Sequence, residues 1–329
     1  MYQTVNFPME RTGFQEYQNY SALRAALKDC GCDGLEGVWA GEAFPSDLPR
    51  DLMIGYHLTF YPDWLDFYRE DTAALTRKFG SVQAAERFYG CRGHDGLLEQ
   101  YRADLERAAA LNVRYVVFHV SDVSLEEGYT YCWQHTHEQV IDAAVEVIHT
   151  LLAGRDWPFE FLVENQWWPG FTFTDPKQTE RLLDAIPYEK AGIMLDTGHL
   201  MNACTTLRTQ AEGAAYILRM VQQHGSLARA IRGVHLHQSL SGEYVQAHTG
   251  RLPDDLPQDY IERFCTSYAH ILQIDQHQPW TDPAICRVLE QIDPAYLTHE
   301  LAASSNARRM EAVKRQTDTL KRGGFLHDI

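Results

Sequence analysis

Six short apolar runs in this chain end at, or lie directly before, a side chain that can bind a metal ion. Short continuous apolar runs are typical of strands buried on both faces, as in a parallel sheet covered by helices. In a parallel barrel every strand points its carboxyl end at the same opening, so residues scattered along the sequence would converge on one pocket. The runs are MIGY before His57, VRYVVF before His119, FEFLV before Glu164, AGIML before Asp196, IRGV before His235 and AYLTH before Glu300.

Predicted helices alternate with these strands. Apolar residues recur at helical spacing over residues 97–111, and a second helix is predicted over 137–154, where Gly154 is a common type of C-terminal signal. Asp175 followed by Pro176 is typical of an N-cap and the first turn of a further helix. Strand followed by helix, about eight times over, predicts the α/β class and a (β/α)8 TIM barrel.

The chain shows no internal boundary. No low-complexity tract, charge block or linker divides residues 1–329, which predicts a single TIM-barrel domain. Extended loops are expected at the C-terminal face of the barrel, the longest of them running from the seventh strand to about Pro283. Because loops carry binding specificity, the sequence leaves the substrate itself open.

Composition excludes several classes of partner. A net charge of −16 disfavours binding to nucleic-acid phosphates or to an anionic membrane surface. No apolar run is long enough to span a bilayer, and no N-terminal stretch is typical of a signal peptide. The seven cysteines include no CxxC pair, which fits reduced thiols and predicts a cytoplasmic protein.

Four of the strand-end residues suit a single divalent cation. Glu164, Asp196, His235 and Glu300 supply three carboxylates and one imidazole, a set that fits Mn²⁺, Zn²⁺ or Co²⁺ and also Mg²⁺. Three crowded carboxylates without a cation would repel one another and take up protons. The alternative for any one of these residues is a solvated charge at the end of a strand.

His57 and His119 end runs on the same predicted face of the barrel. With Glu164 as a bridge they could hold a second ion, about 3.5–4 Å from the first as in two-metal sites. The alternative is that both histidines contact substrate oxygens.

Further candidates lie next to these strand ends. Gly198 would let the chain turn sharply so that His199 reaches the pocket, with a local N-cap role for Asp196 or Thr197 as the alternative. His235 and His237 share one side of their strand, whereas His299 and Glu300 face opposite ways, and Glu300 is predicted to point inward.

Two residues in loops are candidate substrate contacts. Trp167, in the aromatic loop after Glu164, could cover a sugar ring, or it could pack against a neighbouring subunit of a homo-oligomer. Arg251, in the long loop after the seventh strand, could pair with a substrate carboxylate or phosphate, or it could be a solvated loop residue.

The sequence resembles the xylose isomerase-like barrel superfamily, which contains sugar epimerases, ketose isomerases, inosose dehydratases and the endonuclease IV group of DNA-repair enzymes. The similarity rests on VEN at Glu164, LDTGH over 195–199, VHLH over 234–237 and HE at Glu300. In the epimerase branch it implies one ion held by Glu164, Asp196, His235 and Glu300, with the two glutamates moving the proton and His199 contacting substrate.

The resemblance to the endonuclease branch implies more metal. Residues matching His57 and His119 complete a second site there, and one matching His199 joins a third, together with an aspartate and a histidine after the seventh strand. The stretch GEYVQAHTG supplies His248 but has Gln246 in place of the aspartate. An incomplete third site is therefore predicted.

These observations predict a metal-dependent isomerase or epimerase, or a related lyase, that acts on a small sugar or polyol through an enediolate. Glu164 and Glu300 are its predicted catalytic acid/base pair, and His199, His237, Trp167 and Arg251 its predicted substrate contacts. One alternative is an endonuclease IV-like multi-metal phosphoester hydrolase. Another is a noncatalytic sugar-binding barrel.

Overall fold

A computed structural model describes residues 1–41, 45 and 47–327 of the chain. Within these residues eight parallel strands pair in chain order and close into a barrel, because β8 pairs with β1. The predicted (β/α)8 barrel is confirmed. The strands are β1 Tyr2–Met9, β2 Gly34–Trp39, β3 Met53–His57, β4 Tyr115–His119, β5 Glu160–Glu164, β6 Ala191–Asp196, β7 Ile231–Leu236 and β8 Tyr296–His299.

Strand register brings the predicted site residues to one level of the barrel. His119 pairs with Glu164 across β4 and β5, and Asp196 pairs with His235 across β6 and β7. Glu300 follows directly after the last residue of β8. The carboxyl ends of these strands therefore form one floor at the C-terminal face, as the apolar runs predict.

Helices cover the outside of the barrel and shape its C-terminal face. The described helices are α1 Arg11–Gln15, α2 Tyr20–Asp29, α3 Leu65–Tyr68, α4 Thr72–Phe79, α5 Val82–Tyr89, α6 Gly93–Leu111, α7 Leu125–Thr130, α8 His137–Leu152, α9 Pro176–Ala185, α10 Thr197–Asn202, α11 Gln210–His224, α12 Gly242–His248, α13 Tyr260–Ile274, α14 Ile285–Ile292 and α15 Asn306–Arg322, with 3-10 turns at Arg50–Leu52 and Gly225–Ala230.

The helices correct two predictions. The segment after β7 is not one long loop, because it contains α12 and the four-turn helix α13. The helix α8 ends at Leu152 rather than at Gly154, which follows the helix with a φ of +69°. The predicted N-cap at Asp175 is confirmed, since its side chain accepts a hydrogen bond from the Lys177 backbone N–H at 2.9 Å.

The interior of the barrel is layered, with a change from apolar to polar towards the C-terminal face. A buried apolar group around Tyr115 and Met194 fills the N-terminal part. Above it lie Glu36, Thr4 and Thr298, which are fully buried and hydrogen-bonded to one another or to the Tyr115 hydroxyl. The barrel is thus a packed core that supports the strand-end residues from below.

No helix in the described part of the chain combines the length and the apolar character that crossing a bilayer would require.

A buried ion cluster holds the segment between β3 and α4. Lys78 Nζ lies 2.6 Å from Asp63 Oδ1 and 2.7 Å from Asp66 Oδ2, and all three side chains are buried. The Lys78→Met variant would leave two buried carboxylates without their cation. We expect it to lower the free energy of unfolding by about 3–5 kcal/mol, measured by urea denaturation.

The matched control for Lys78 is an exposed pair. Lys190 Nζ lies 3.0 Å from Asp156 Oδ1, with 45% and 91% of the two side chains exposed. We expect Lys190→Met to change the free energy of unfolding by no more than about 1 kcal/mol. Equal losses in the two variants would show that the buried cluster adds no stability beyond that of a surface ion pair.

Candidate metal centre

Glu164, at the end of β5, lies at the centre of a group of histidines. Its Oε2 is 3.2 Å from both His57 Nε2 and His119 Nε2, and its Oε1 is 3.0 Å from His199 Nδ1. The side chain is 1% exposed. Both oxygens of one buried carboxylate are therefore in contact with imidazoles, from the ends of β3 and β4 and from α10.

A second donor group lies beside the first and shares Glu164 with it. His235 Nδ1 is 2.9 Å from Glu300 Oε2, 3.6 Å from Glu164 Oε2 and 3.7 Å from Asp196 Oδ2. His235 Nδ1 and Glu300 Oε2 are buried, yet neither makes a hydrogen bond of acceptable geometry within the described residues. Two buried donor atoms that lie 2.9 Å apart without a hydrogen bond between them are positioned to bind the same ion.

A third donor group surrounds His199 and does not include the stretch GEYVQAHTG. Asp275 Oδ2 is 3.3 Å from His199 Nε2 and 2.6 Å from His277 Nε2. Gln246 and His248, by contrast, are exposed on α12, where His248 contacts only the Tyr244 backbone oxygen and ring. The aspartate and the histidine next to His199 are therefore Asp275 and His277, which lie about 30 residues after Gln246 and His248 in the chain.

These groups meet the distance requirement for metal ligands. The donor atoms within each group lie within 4.8 Å of one another. The groups are His57, His119 and Glu164; Glu164, Asp196 and His235; Asp196, His237 and Glu300; and His199, His237, Asp275 and His277.

The histidine rings are oriented as ligands are. His57 Nδ1 lies 2.8 Å from the Leu58 backbone oxygen, His199 Nδ1 lies 3.0 Å from that of Asn165, and His277 Nδ1 lies 3.1 Å from that of Glu300. A carbonyl oxygen only accepts, so each Nδ1–H can donate, which leaves Nε2 as the nitrogen that would bind a metal ion after losing its proton. In all three rings Nε2 faces a carboxylate oxygen of the centre. Ligating histidines are typically held in this way, so the residues present fit bound metal ions.

Glu36, in β2, is a residue that the sequence reasoning missed. It is fully buried, and its Oε2 lies 3.1 Å from His235 Nε2. The Nε2–H of His235 therefore donates to Glu36, and Nδ1 of the same ring faces the carboxylates. Tyr115 and Thr298 donate to the same oxygen at 2.8 Å and 3.0 Å. The only signal in the sequence is a glutamate inside the apolar run GLEGVW. A buried charge of this kind requires a partner.

We expect Glu36→Gln to lower metal affinity about 10- to 100-fold, because loss of the carboxylate weakens the restraint on the His235 ring. Competition with a fluorescent chelator would measure the affinity, and thermal unfolding of the metal-free protein would check the fold. Unchanged affinity in a folded Glu36→Gln variant would contradict this positioning role.

Neighbouring charges shift the pKa values of the donor residues. Burial raises the pKa of Glu164, but the charges of His119 and His235 outweigh it and hold that pKa well below the usual range. Burial lowers the pKa of His277, whereas the neighbouring Asp275 carboxylate raises it, to about 9 as the net result. Metal ions bound to these donors would displace such protons.

Asp196 and Gly198 shape the start of α10. Asp196 accepts a hydrogen bond from the His199 backbone N–H at 2.6 Å, so it caps the helix while facing His235. Gly198 does not make the sharp turn that the sequence predicts, because it lies inside α10. It is required for space instead, since an added Cβ would overlap the ring of His237.

The predicted substrate contacts separate into two pairs. His199 and Trp167 line a cavity of about 460 Å³ that opens above the centre. His237 is fully buried, with Nε2 2.8 Å from Asp196 Oδ2, and does not line this cavity. Arg251 is exposed and is also absent from the cavity lining. Glu300 lines the cavity, as do several other donor residues. His299 instead faces the helices outside the barrel, where its Nδ1 lies 2.9 Å from Gln316 Nε2 of α15.

Comparison with known proteins agrees with the barrel fold. Residues 24–253 match the model of a family described as xylose isomerase-like TIM barrel, AP_endonuc_2. Members of this family typically bind divalent metals. No curated protein matches the chain.

Solved structures match the chain over nearly its full length. A D-tagatose 3-epimerase-like protein is 14% identical with a TM-score of 0.52, and a structure named AsfvAP:AG is 11% identical with a TM-score of 0.54. A D-allulose 3-epimerase from Methylomonas sp. is 10% identical with a TM-score of 0.50. Each match covers 98% of both chains. At these identities the similarity shows a shared fold alone.

Proposed function

The chain belongs to the xylose isomerase-like TIM barrel family, and on that premise we propose that it is a multinuclear metal enzyme that hydrolyses a phosphate ester of a small molecule. The observation that carries this proposal is the set of histidines with one ring nitrogen held by a backbone carbonyl or by Glu36 and the other facing a shared carboxylate. The proposed ligands are those of the donor groups around Glu164.

The number of donors favours several ions over one. His57 and His119 contact one side of Glu164, whereas Asp275 and His277 lie beyond His199 on its other side. An ion held by Glu164, Asp196, His235 and Glu300 would leave both of these pairs without a cation. Separate ions, one in each donor group, would use all of them, and Glu164 belongs to two of those groups.

The chain's own residues have distinct positions relative to a reacting ester. Bound ions would supply Lewis-acid polarisation of the phosphoryl group and a lowered pKa for a nucleophilic water. Glu300 both belongs to a donor group and lines the cavity, so its carboxylate is the group we propose accepts a proton from the attacking water. Gln166 Nε2, 3.0 Å from His199 Nδ1, would orient an oxygen of the substrate at the cavity wall.

A small substrate fits this site better than nucleic acid does. The cavity of about 460 Å³ has the size of a small-molecule pocket. The net charge of −16 opposes the approach of a polyanionic duplex. The proposed substrate is therefore an ester whose phosphate is neutralised by the ions of the centre.

Metal content and turnover test this proposal. The purified protein would be analysed for Mn, Zn, Co and Mg, then assayed for phosphate release from a panel of phosphomonoesters and phosphodiesters. We expect two or three ions per chain and hydrolysis that is lost on chelation and restored by metal. A single ion per chain with no hydrolysis would contradict the proposal.

A metal-dependent sugar isomerase or epimerase is the second candidate. It is favoured by the position of His235 next to Glu164, Asp196 and Glu300, a set in which two glutamates would bind the same ion. In this reaction Glu164 and Glu300 would remove and return a proton next to the substrate carbonyl. Incorporation of deuterium from solvent into D-tagatose or D-fructose would support it, and its absence in the metal-loaded protein would exclude these substrates.

A further inference from the structure

Two kinds of side chain line the cavity above the centre. We call the lining residues that belong to the donor groups its inner half and the remaining lining residues its outer half. His119, His199, His277 and Glu300 line the inner half. Aromatic and aliphatic side chains line the outer half, and they come from the β3 segment, the loop after Glu164 and α13. The outer half includes Phe60, Tyr61, Trp168, Phe264, Tyr268 and Ile271.

One face of α13 forms the apolar wall. Tyr260, Phe264, Tyr268, Ile271 and Leu272 line the cavity, and the last four follow Tyr260 by four, eight, eleven and twelve residues, which places all five on one side of the helix. Phe264 packs against Phe88 at 5.2 Å between ring centroids, which anchors the wall to α5. This helix lies in the segment after β7, so the wall is built by an element outside the regular barrel.

The mouth of the cavity exposes apolar side chains. Phe60 is 46% exposed, Tyr268 50% and Leu272 43%. The ring of Phe60 also stacks on that of His119, with centroids 4.8 Å apart. A group bound against these side chains would remove apolar surface from water directly next to the centre.

Polar groups in the outer half are isolated donors among apolar side chains: Trp167 Nε1, Trp168 Nε1 and Arg309 Nε are buried without a hydrogen-bond partner within the described residues. Among the described residues lining the cavity, Arg309 is the one arginine or lysine, and it donates to Asn306 at 3.1 Å. Asp63 is paired with Lys78. His270 contacts the Tyr244 hydroxyl at 2.9 Å and the Gly128 backbone oxygen at 3.2 Å. These isolated donors are too few to replace the water around a polyol or a second phosphate.

We propose that the substrate is amphiphilic: an ester whose phosphate binds the centre and whose aromatic or aliphatic group packs against α13. This inference rests on the proposed function for the phosphate end. The apolar end rests independently on the composition of the outer half. Buried Ser267, whose Oγ has no partner within the described residues, would accommodate one hydrogen-bonding group on the apolar part.

Binding of phosphonates, which cannot be hydrolysed at the carbon–phosphorus bond, tests the substrate class without turnover. Calorimetric titration of metal-loaded protein would compare 1-naphthylmethylphosphonate with methylphosphonate. We expect the naphthyl compound to bind about 30-fold more tightly or better, because its ring system is buried at the apolar wall.

Variants locate the preference on α13. The Tyr268→Ala/Leu272→Ala double variant removes two half-exposed wall residues, so the fold should be retained, and we expect the naphthyl preference to fall about tenfold. Ile261→Ala is the matched control: Ile261 is 61% exposed on the same helix and does not line the cavity. The control should keep the full preference.

The outcomes separate the two proposals. Equal binding of the two phosphonates, no binding of either, or an unchanged preference in the double variant would overturn the amphiphilic substrate, whether or not the protein hydrolyses esters. A naphthyl preference that depends on α13, in a protein that releases no phosphate from any ester, would retain the apolar wall and overturn the hydrolase proposal instead.

Discussion

Replacement of Glu164 by glutamine is expected to lower the metal content by at least one ion per chain and to reduce turnover on the order of 10³-fold or more. The carboxylate belongs to two donor groups, one with His57 and His119 and one with Asp196 and His235. An amide at this position offers one oxygen and no charge. Elemental analysis and steady-state assays of the same preparation would measure both effects.

The same strand offers a control for this variant. Glu160 lies at the start of β5, where it pairs with Arg232 at 2.7 Å, at the opposite end of the barrel from the centre. We expect Glu160→Gln to keep the metal content and activity of the original protein. Full metal content and turnover in Glu164→Gln would remove the basis for a bridging carboxylate and for either proposed reaction.

Replacement of Asp275 by asparagine is expected to remove a single ion and leave the others in place. Asp275 joins His199 and His277, and it has no contact with His57 or His119 among those described. We expect hydrolysis to fall about 10²-fold, because one source of charge stabilisation is lost. Titration of metal-free protein with Zn²⁺ would show one binding event fewer than in the original protein.

His248→Asn is the control for Asp275→Asn. It tests whether the third ion binds at Asp275 and His277 or at the stretch that carries His248. His248 is exposed on α12 and contacts Tyr244, so its loss should change neither metal content nor activity. Loss of an ion in His248→Asn but not in Asp275→Asn would reverse the assignment. Unchanged deuterium exchange into a ketose in Asp275→Asn, with hydrolysis absent from the original protein, would favour the epimerase candidate.

The barrel and the strand-end part of the centre were predictable from local sequence. A buried parallel strand must be continuously apolar, and its last residue must face the shared opening, so His57, His119, Glu164 and Asp196 mark the ends of β3 to β6 directly. Alternation along a strand also separated Glu300 from His299, which faces α15.

Residues of the centre that do not lie at strand ends could be identified only from the tertiary structure. Glu36 lies mid-strand, and its partner His235 is 199 positions away, so nothing local indicates the contact. Asp275 and His277 follow α13, whose return to the barrel mouth depends on how its aromatic face packs. The orientation of the His57, His199 and His277 rings depends on backbone carbonyls that only the folded chain brings into place.

The sequence by itself therefore determined the architecture and the floor of the site, because strand periodicity and burial are properties of neighbouring residues. The tertiary structure decided how many donor groups surround Glu164 and what covers them, because these depend on contacts between segments far apart in the chain. The same difference explains the substrate proposal: the apolar wall arises from one helix folded over the opening, in a segment that the sequence predicted to be a loop.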